Sequence, residues 1–543
     1  MNRLTKIGCF SFLLLLMGCD SANEEWHAVF RYNEPTGIAS LDPAFAKNQS
    51  VIWAVHQLYN TLVETDTALH IQPSIAASWD ISPDRTEYRF HLRRDVFFHP
   101  NPIFKKGKGR KLIATDIVYS FQRLMAAETA SPGAWLLNGK VSDKNPFEAP
   151  NDSTFILRLK QPFSPILGIL SAPYCSIVPK EVVTYYGKDF RRHPCGTGPF
   201  LFDSWEEGQA LILKRNPYYF EKDSEGRSIP YLEAIKVSFN DSRATEFLLF
   251  QQGKLDFIND IDPSFKDEVL SKTGKLRKEW SGLVNLYKHD YLNTEYLGIL
   301  VDSSKSEVRS SPLRTKWIRQ AINYGFDRRK LMMYLRNSIG TPAENGFIPA
   351  GMPSFDTTLK GYSYDPVRAR ELIRLAGYDR IKDKGKIRLL TIPIYADLAN
   401  FISRQLDDIG LEITVEVIPK SLLLEQTAKS EAPFFRASWI ADYPEAENYL
   451  SVFYGQNPAP PNYTRYKNSD YDSLYVRAMR TTSDSLRYDL YKQMDKMIIE
   501  DAVIVPLWYD QVVHLVRPEL SGWQPNALNM LEIRRVKKSK PIQ

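Results

Sequence analysis

No apolar run after the first twenty residues of this 543-residue sequence is long enough to cross a bilayer, so the chain must bury its hydrophobic residues in cores of its own. The length exceeds what one core serves, which predicts two or more lobes. Hydrophobic residues make up 43% and charged residues 25%, a balance that excludes a disordered chain. The formal net charge of +6 is small, and the basic residues are interspersed with 64 acidic ones. That pattern argues against a nucleic-acid partner. The basic run Phe104-Lys105-Lys106-Gly107-Lys108-Gly109-Arg110-Lys111 and the tail 534–540 read as solvated loops.

The N-terminus constrains the compartment. Asn2, Arg3 and Lys6 precede a short apolar stretch over 7–17, the pattern of a signal h-region. It ends in Leu16-Met17-Gly18-Cys19, which resembles the bacterial lipobox. Residues 1–18 are therefore predicted to be a lipoprotein signal peptide and Cys19 the lipidated residue; a plain secretory signal is the alternative. Cys9 leaves with the signal, so Cys175 and Cys195 remain, an even pair in an exported chain. A disulfide is the natural reading, adding roughly 3 kcal/mol by closing its loop, and two buried free thiols are the alternative.

Strand patterns dominate the first half. Tyr88, Phe90 and Leu92 alternate with polar neighbours, and 211–213 and 234–239 read as further strands. In the second half, Ser311 with Pro312 predicts a helix burying Leu313, Trp317, Ile318 and Ala321. Asp365 with Pro366 predicts another, burying Leu372, Ile373 and Ala376 and closing at Gly377. The fold class is α/β. Enzyme signatures are missing: the eight histidines make no HExxH, and there is no GxSxG elbow or Walker loop. Gly196-Thr197-Gly198 reads as a turn into a strand. No metal site and no cofactor are expected. An exported hydrolase, with acids converging only in the fold, remains a rival.

Several segments in joint order resemble the extracytoplasmic solute-binding proteins of peptide-type ABC importers, the oligopeptide- and dipeptide-binding family 5. They include Ser40-Leu41-Asp42-Pro43, the stretches 71–99 and 114–124, GTGPF at 196–200, LKRNPYYF at 213–220, WIADYPEAENYL at 439–450 and the segment 505–518. The resemblance implies a two-lobed periplasmic-binding-protein fold (Venus-flytrap, type II-like) with an extra subdomain in the first lobe. The first lobe would take 26–65, 186–275 and 505–543, the subdomain 66–185 and the second lobe 276–504. It implies a monomeric, non-enzymatic receptor at the periplasmic or cell-envelope face, anchored to the membrane by lipid. Such a receptor passes short peptides to the permease and ATPase subunits of an ABC importer. A nickel chelate, haem, a murein peptide or an oligosaccharide are alternative solutes.

The same resemblance suggests roles for named residues. Asp442, the aspartate of a Trp-x-x-Asp motif, would pair with the ligand's α-amino group; capping a turn at Pro444 is the alternative. Arg436 would meet the ligand's carboxylate, or else form a salt bridge. Trp439 would pack on the ligand backbone or in the core. Trp508 and Tyr509 would line the first-lobe wall, and Asn48 and Gln49 would offer contacts to an extended peptide. Glu445 and Glu447 read as acids in a first helical turn.

Overall fold

Alternation of apolar and polar residues makes Glu87–Leu92 a strand that buries Tyr88, Phe90 and Leu92 and leaves the intervening residues half exposed. A computed structural model describes residues 28–381 and 385–539; the predicted signal segment and Cys19 lie outside the described residues. The strand belongs to a four-stranded antiparallel sheet in the order Ala76–Ile81, Glu87–Leu92, Thr154–Arg158, Phe147–Asn151. Helix Ala114–Met125 covers it, setting Phe121 edge-on to Phe147 and Phe155 at centroid distances of 5.5 and 5.6 Å.

A larger mixed sheet joins the rest of the chain. Its order is Ile413–Val417, Ile387–Thr391, Phe434–Ile440, Asn285–Ile299, Ile504–Val516, Phe257–Asn259, Val29–Asn33, Ala234–Ser238, Ala210–Arg215, Phe200–Glu206. The two long central strands hold the key. Their antiparallel ladder runs from Asn285 opposite Val516 to Asp290 opposite Gln511, breaks, and resumes at Thr294 opposite Tyr509. Before the break, Ile504–Val516 pairs with Phe257–Asn259; after it, Asn285–Ile299 pairs with Phe434–Ile440. The break marks the junction of two lobes that share one sheet.

Two large cores form, and the first runs across the junction into the second half of the chain. One includes Phe30, Trp53, Phe90, Phe121, Ile169, Tyr449 and Tyr491; the other gathers Leu297, Ile318, Leu372, Leu389, Ile402 and Phe434. Helix Pro366–Leu375 follows its pattern: the Asp365 carboxylate accepts from the Arg368 N–H at 2.9 Å, Leu372 and Ile373 are buried, and Gly377 follows at φ 66°. The other predicted helix starts later, at Lys316–Tyr324, after a short turn over Pro312–Arg314. Ile318 and Ala321 are buried but Trp317 is 44% exposed. Neighbours on a helix point roughly 100° apart, so Trp317 and Ile318 cannot share one face.

Two expectations are corrected here. Cys175 and Cys195 are free, buried thiols, so the predicted disulfide does not form. Burial pushes the Cys175 thiol up to about 12, and the Cys195 sulfur lies 3.6 Å from the His99 carbonyl oxygen. An even count of cysteines says nothing about where their side chains point, and each of these is packed into apolar surroundings. The basic run 104–111 is also tied down: Phe104 is buried, and Arg110 bridges Asp116 at 2.6 Å and Glu181.

The turn Gly196-Thr197-Gly198 leads into Phe200–Glu206 and lies against the end of helix Gln49–Leu58. The Gly198 N–H donates to the Leu58 carbonyl at 3.0 Å, and a Cβ on Gly198 would stand 2.4 Å from that carbonyl carbon. Gly198→Ala is therefore expected to lower the unfolding free energy by about 1–3 kcal/mol. Urea melts of the two proteins check this; an unchanged midpoint would show that the helix end yields.

Candidate functional site

Helix Gln49–Leu58 is apolar on the side facing the sheet, but Trp53 and Gln57 reach past it to the C-terminal segment. The Trp53 indole donates to the Asn529 carbonyl at 2.6 Å, and the Gln57 amide donates to the Leu531 carbonyl at 2.7 Å. These bonds set one wall of a cavity of about 480 Å³. Residues Ser171–Tyr174, from the part of the chain holding the small sheet, form a second wall. The third comes from the other lobe: Ile440–Pro444 at the end of strand Phe434–Ile440, with Tyr291 and Leu292 from the break in the long ladder. The lobes also touch beyond the cavity. Trp135 faces Tyr443 at a centroid distance of 6.4 Å, the Ser164 hydroxyl donates to the Thr481 carbonyl at 3.0 Å, and Arg85 donates to the Thr482 carbonyl.

Asp442 opens onto this cavity. It is water-accessible, yet protein encloses most of its surroundings, and that desolvation raises its pKa above the usual carboxylate range. Its one side-chain partner among the described residues is Asn448, whose amide lies 3.4 Å away. Asn448 is positioned in turn by Trp439, whose indole donates to its carbonyl oxygen at 3.0 Å. Trp439 thus orients the Asp442 loop through Asn448 and is absent from the cavity wall. Tyr174 and Tyr291 stand near Asp442: burial first, and then the charge of Asp442 at Tyr174 and of Asp510 and Asp442 at Tyr291, push both hydroxyls up to about 12.

At the other end a charged cluster holds the wall. Arg534 bridges Glu64 at 2.8 Å, Glu221 at 2.5 Å and Glu532 at 3.1 Å, and His56 lies 3.1 Å from Glu532. Burial alone would raise Glu532, but Arg534 and His56 outweigh it and bring the carboxyl down to about 2. Glu64 moves the other way, because burial and the charge of Glu221 exceed its share of Arg534. The tail read as solvated is therefore structural: Arg534 is buried, and Lys538 bridges Asp256 at 2.9 Å.

Other expected site residues fall elsewhere. Arg436 is consumed by Glu295 at 2.5 Å and lies 3.8 Å over the Tyr395 ring, away from the cavity wall. Trp508 and Tyr509 are fully buried: Trp508 sits in the second-lobe core, and the Tyr509 hydroxyl bonds the Gly346 backbone at 2.8 and 2.9 Å. Their strand lies in the middle of the sheet, where both faces are covered. Gln49 lines the cavity, whereas Asn48 is the exposed residue preceding the helix. Glu445 forms a buried pair with Arg487 at 3.3 Å, and Glu447 accepts from the Tyr443 hydroxyl at 2.5 Å and from Tyr475. Glu447 is the first-turn acid of the helix Glu447–Leu450, as expected, whereas Glu445 precedes that helix. Reasoning from sequence missed Asn448, Trp53, Glu64 and Arg534. Only Asn448 carried a signal, since it lies within the motif of Asp442.

Comparison with known proteins decides the family. The sequence model of the bacterial extracellular solute-binding proteins, family 5 (middle part), matches residues 70–461. The chain belongs to that family. Within family 5 it is 24% identical over 505 residues to a probable D,D-dipeptide-binding periplasmic protein of Escherichia coli (strain K12), covering 90% of each chain. It is 27% identical over 493 residues to heme-binding protein A of Haemophilus influenzae, covering 86% of this chain and 84% of that one. A periplasmic binding protein of Helicobacter pylori solved with the peptide STSA shares the fold, with a TM-score of 0.73 and 24% identity over 94% of this chain and 98% of that one. The two-lobed family-5 fold is thus established. Among the described residues, no three histidine, cysteine or acidic side chains gather to hold a metal, and no helix is long and apolar enough to cross a membrane.

Removing Arg534 takes the arginine partner from Glu64 and leaves Glu221 with Arg535 and Glu532 with His56 in a buried wall. Arg534→Met is expected to lower the unfolding free energy by about 3–5 kcal/mol. Because Glu532 is depressed to about 2, its contribution is complete above the unfolded value of roughly 4.3 and is lost as pH falls towards the folded one. Urea melts from pH 2.5 to 7 check both: in the variant, the Glu532 part of that acid-side loss is expected to shrink.

Proposed function

We propose that this family-5 protein captures short peptides in the inter-lobe cavity by their amino end and delivers them to an ABC importer. The observation that carries the reading is Asp442. It is an oriented carboxylate in a cavity wall, with its charge partly desolvated and no cationic partner among the described residues. A ligand ammonium stabilises the ionised form that burial disfavours, so the contact is strong and directional. Asp442 arrives on the second lobe while Gln49, Trp53 and Tyr59 wait on the first, so a ligand bridging them favours the closed arrangement. No bond is made or broken in this role.

The remaining parts of the reading follow the resemblance. The first lobe takes 26–65, 186–275 and 505–543, the subdomain 66–185 and the second lobe 276–504, with the ladder break as the hinge. The mature chain is a monomer anchored by lipid at Cys19 on the periplasmic or cell-envelope face, and it docks on the permease when closed. Stoichiometric retention of peptide without turnover separates this receptor from a hydrolase.

Asp442→Asn is expected to weaken a free-amino peptide by about 10–100-fold, the worth of one charged hydrogen bond. The N-acetylated form of the same peptide should lose far less. Calorimetric titration reads both, and equal losses would reject the ammonium role. Affinity for the free-amino peptide is also expected to fall as pH drops through the raised pKa of Asp442, since only the ionised form attracts the amine. The acetylated peptide should show no such fall.

A further inference from the structure

The charges facing the cavity are unbalanced. Glu64, Asp66, Asp442 and Glu532 stand on its wall against the permanent cations Lys47 and Arg534. Arg534 is spent three times over, on Glu64, Glu221 and Glu532. His56 is directed at Glu532. Arg436, the other arginine considered for a ligand carboxylate, is closed off by Glu295 under the Tyr395 ring. Lys47 is exposed at the edge. Among the described residues, therefore, no guanidinium on the wall is available for a ligand carboxylate, while one carboxylate awaits a cation.

From this inventory, and resting on the peptide reading above, we infer that the cavity selects ligands of net positive charge: peptides with a free amino end and a basic side chain, whose terminal carboxylate contributes little. Three features act together. Asp442 fixes one cation, and the aromatic side chains of Tyr174 and Tyr291 line the cavity near it. The uncompensated acid at the Glu64–Glu532 end favours a second positive group and repels a negative one. Rejection is as much a part of this as attraction, since an acidic side chain inside the cavity would be desolvated next to like charge. The cluster on Arg534 is then the specificity determinant, because it both supplies acid and withholds the guanidinium.

The test is calorimetric titration of the full mature chain with the tripeptides Ala-Lys-Ala, Ala-Ala-Ala, Ala-Glu-Ala and Ala-Ala-Ala amide at low and moderate salt. Ala-Lys-Ala is expected to bind at least about tenfold more tightly than Ala-Glu-Ala, with the gap narrowing as salt rises. The amide is expected to bind as well as, or better than, the free acid. Tripeptides that bind with Ala-Glu-Ala equal or favoured, or with the amide much weaker, would overturn the inference while leaving peptide capture intact. No binding by any of the four would overturn the inference together with the peptide reading on which it rests. Glu64→Gln, confirmed as folded by thermal melting, releases part of Arg534 and is expected to narrow the lysine-to-glutamate ratio several-fold. An unchanged ratio would remove the Arg534 cluster from the selection.

Discussion

Everything that makes a site here depends on one ladder of backbone hydrogen bonds. The strands Asn285–Ile299 and Ile504–Val516 are the only elements by which the large sheet passes from one lobe to the other among the described residues, and they come from distant parts of the sequence. Where their register breaks, between Asp290 and Thr294, the intervening residues leave the strand Ile504–Val516, and Tyr291 and Leu292 line the cavity. A continuous ladder would make a stiff sheet with no cleft, and separate sheets would leave the walls without a fixed relation. The interrupted ladder gives the cavity its floor and supplies the proposed hinge.

The fold was legible because its signals are local. The alternation in Glu87–Leu92, the Asp365 cap and the glycine turn at 196–198 each report on their neighbours within a few residues, and each appears in the structure where its pattern placed it. The candidate site was legible only in part, and along the same divide. Asp442 was found because it sits in a contiguous motif. Arg534 was misread as part of a solvated basic tail because its partners Glu64 and Glu221 lie more than three hundred residues away in sequence. Trp508 and Tyr509 were misplaced for a related reason: a strand at the centre of a sheet and one facing a cleft have the same apolar composition, and only the covering layers distinguish them.

The two arginines show how charge compensation decides function. Arg436 and Arg534 each carry a planar fork suited to a carboxylate, and each meets one supplied by the protein itself. A guanidinium already paired in a poorly hydrated setting gains little by exchanging one carboxylate for another, and would leave the first unpaired. The protein's own acids thus remove both from the pool of ligand contacts. Asp442 is the reverse case: its nearest donor is the neutral amide of Asn448, so a cation entering the cavity displaces nothing and recovers a desolvated charge.

Contacts outside the cavity bear on how that recovery is used. Trp135 against Tyr443 and Ser164 bound to Thr481 join the lobes without touching the cavity contents, apart from Tyr443 itself. They do not depend on what the cavity holds, so on the proposed reading a ligand need supply only the remaining difference between open and closed populations. A protein relying on ligand contacts alone would need a rich, sequence-reading surface across both lobes. On the proposed reading, with part of closure carried by these contacts, one oriented carboxylate and the field of an acidic wall suffice, and discrimination rests on charge rather than on side-chain shape.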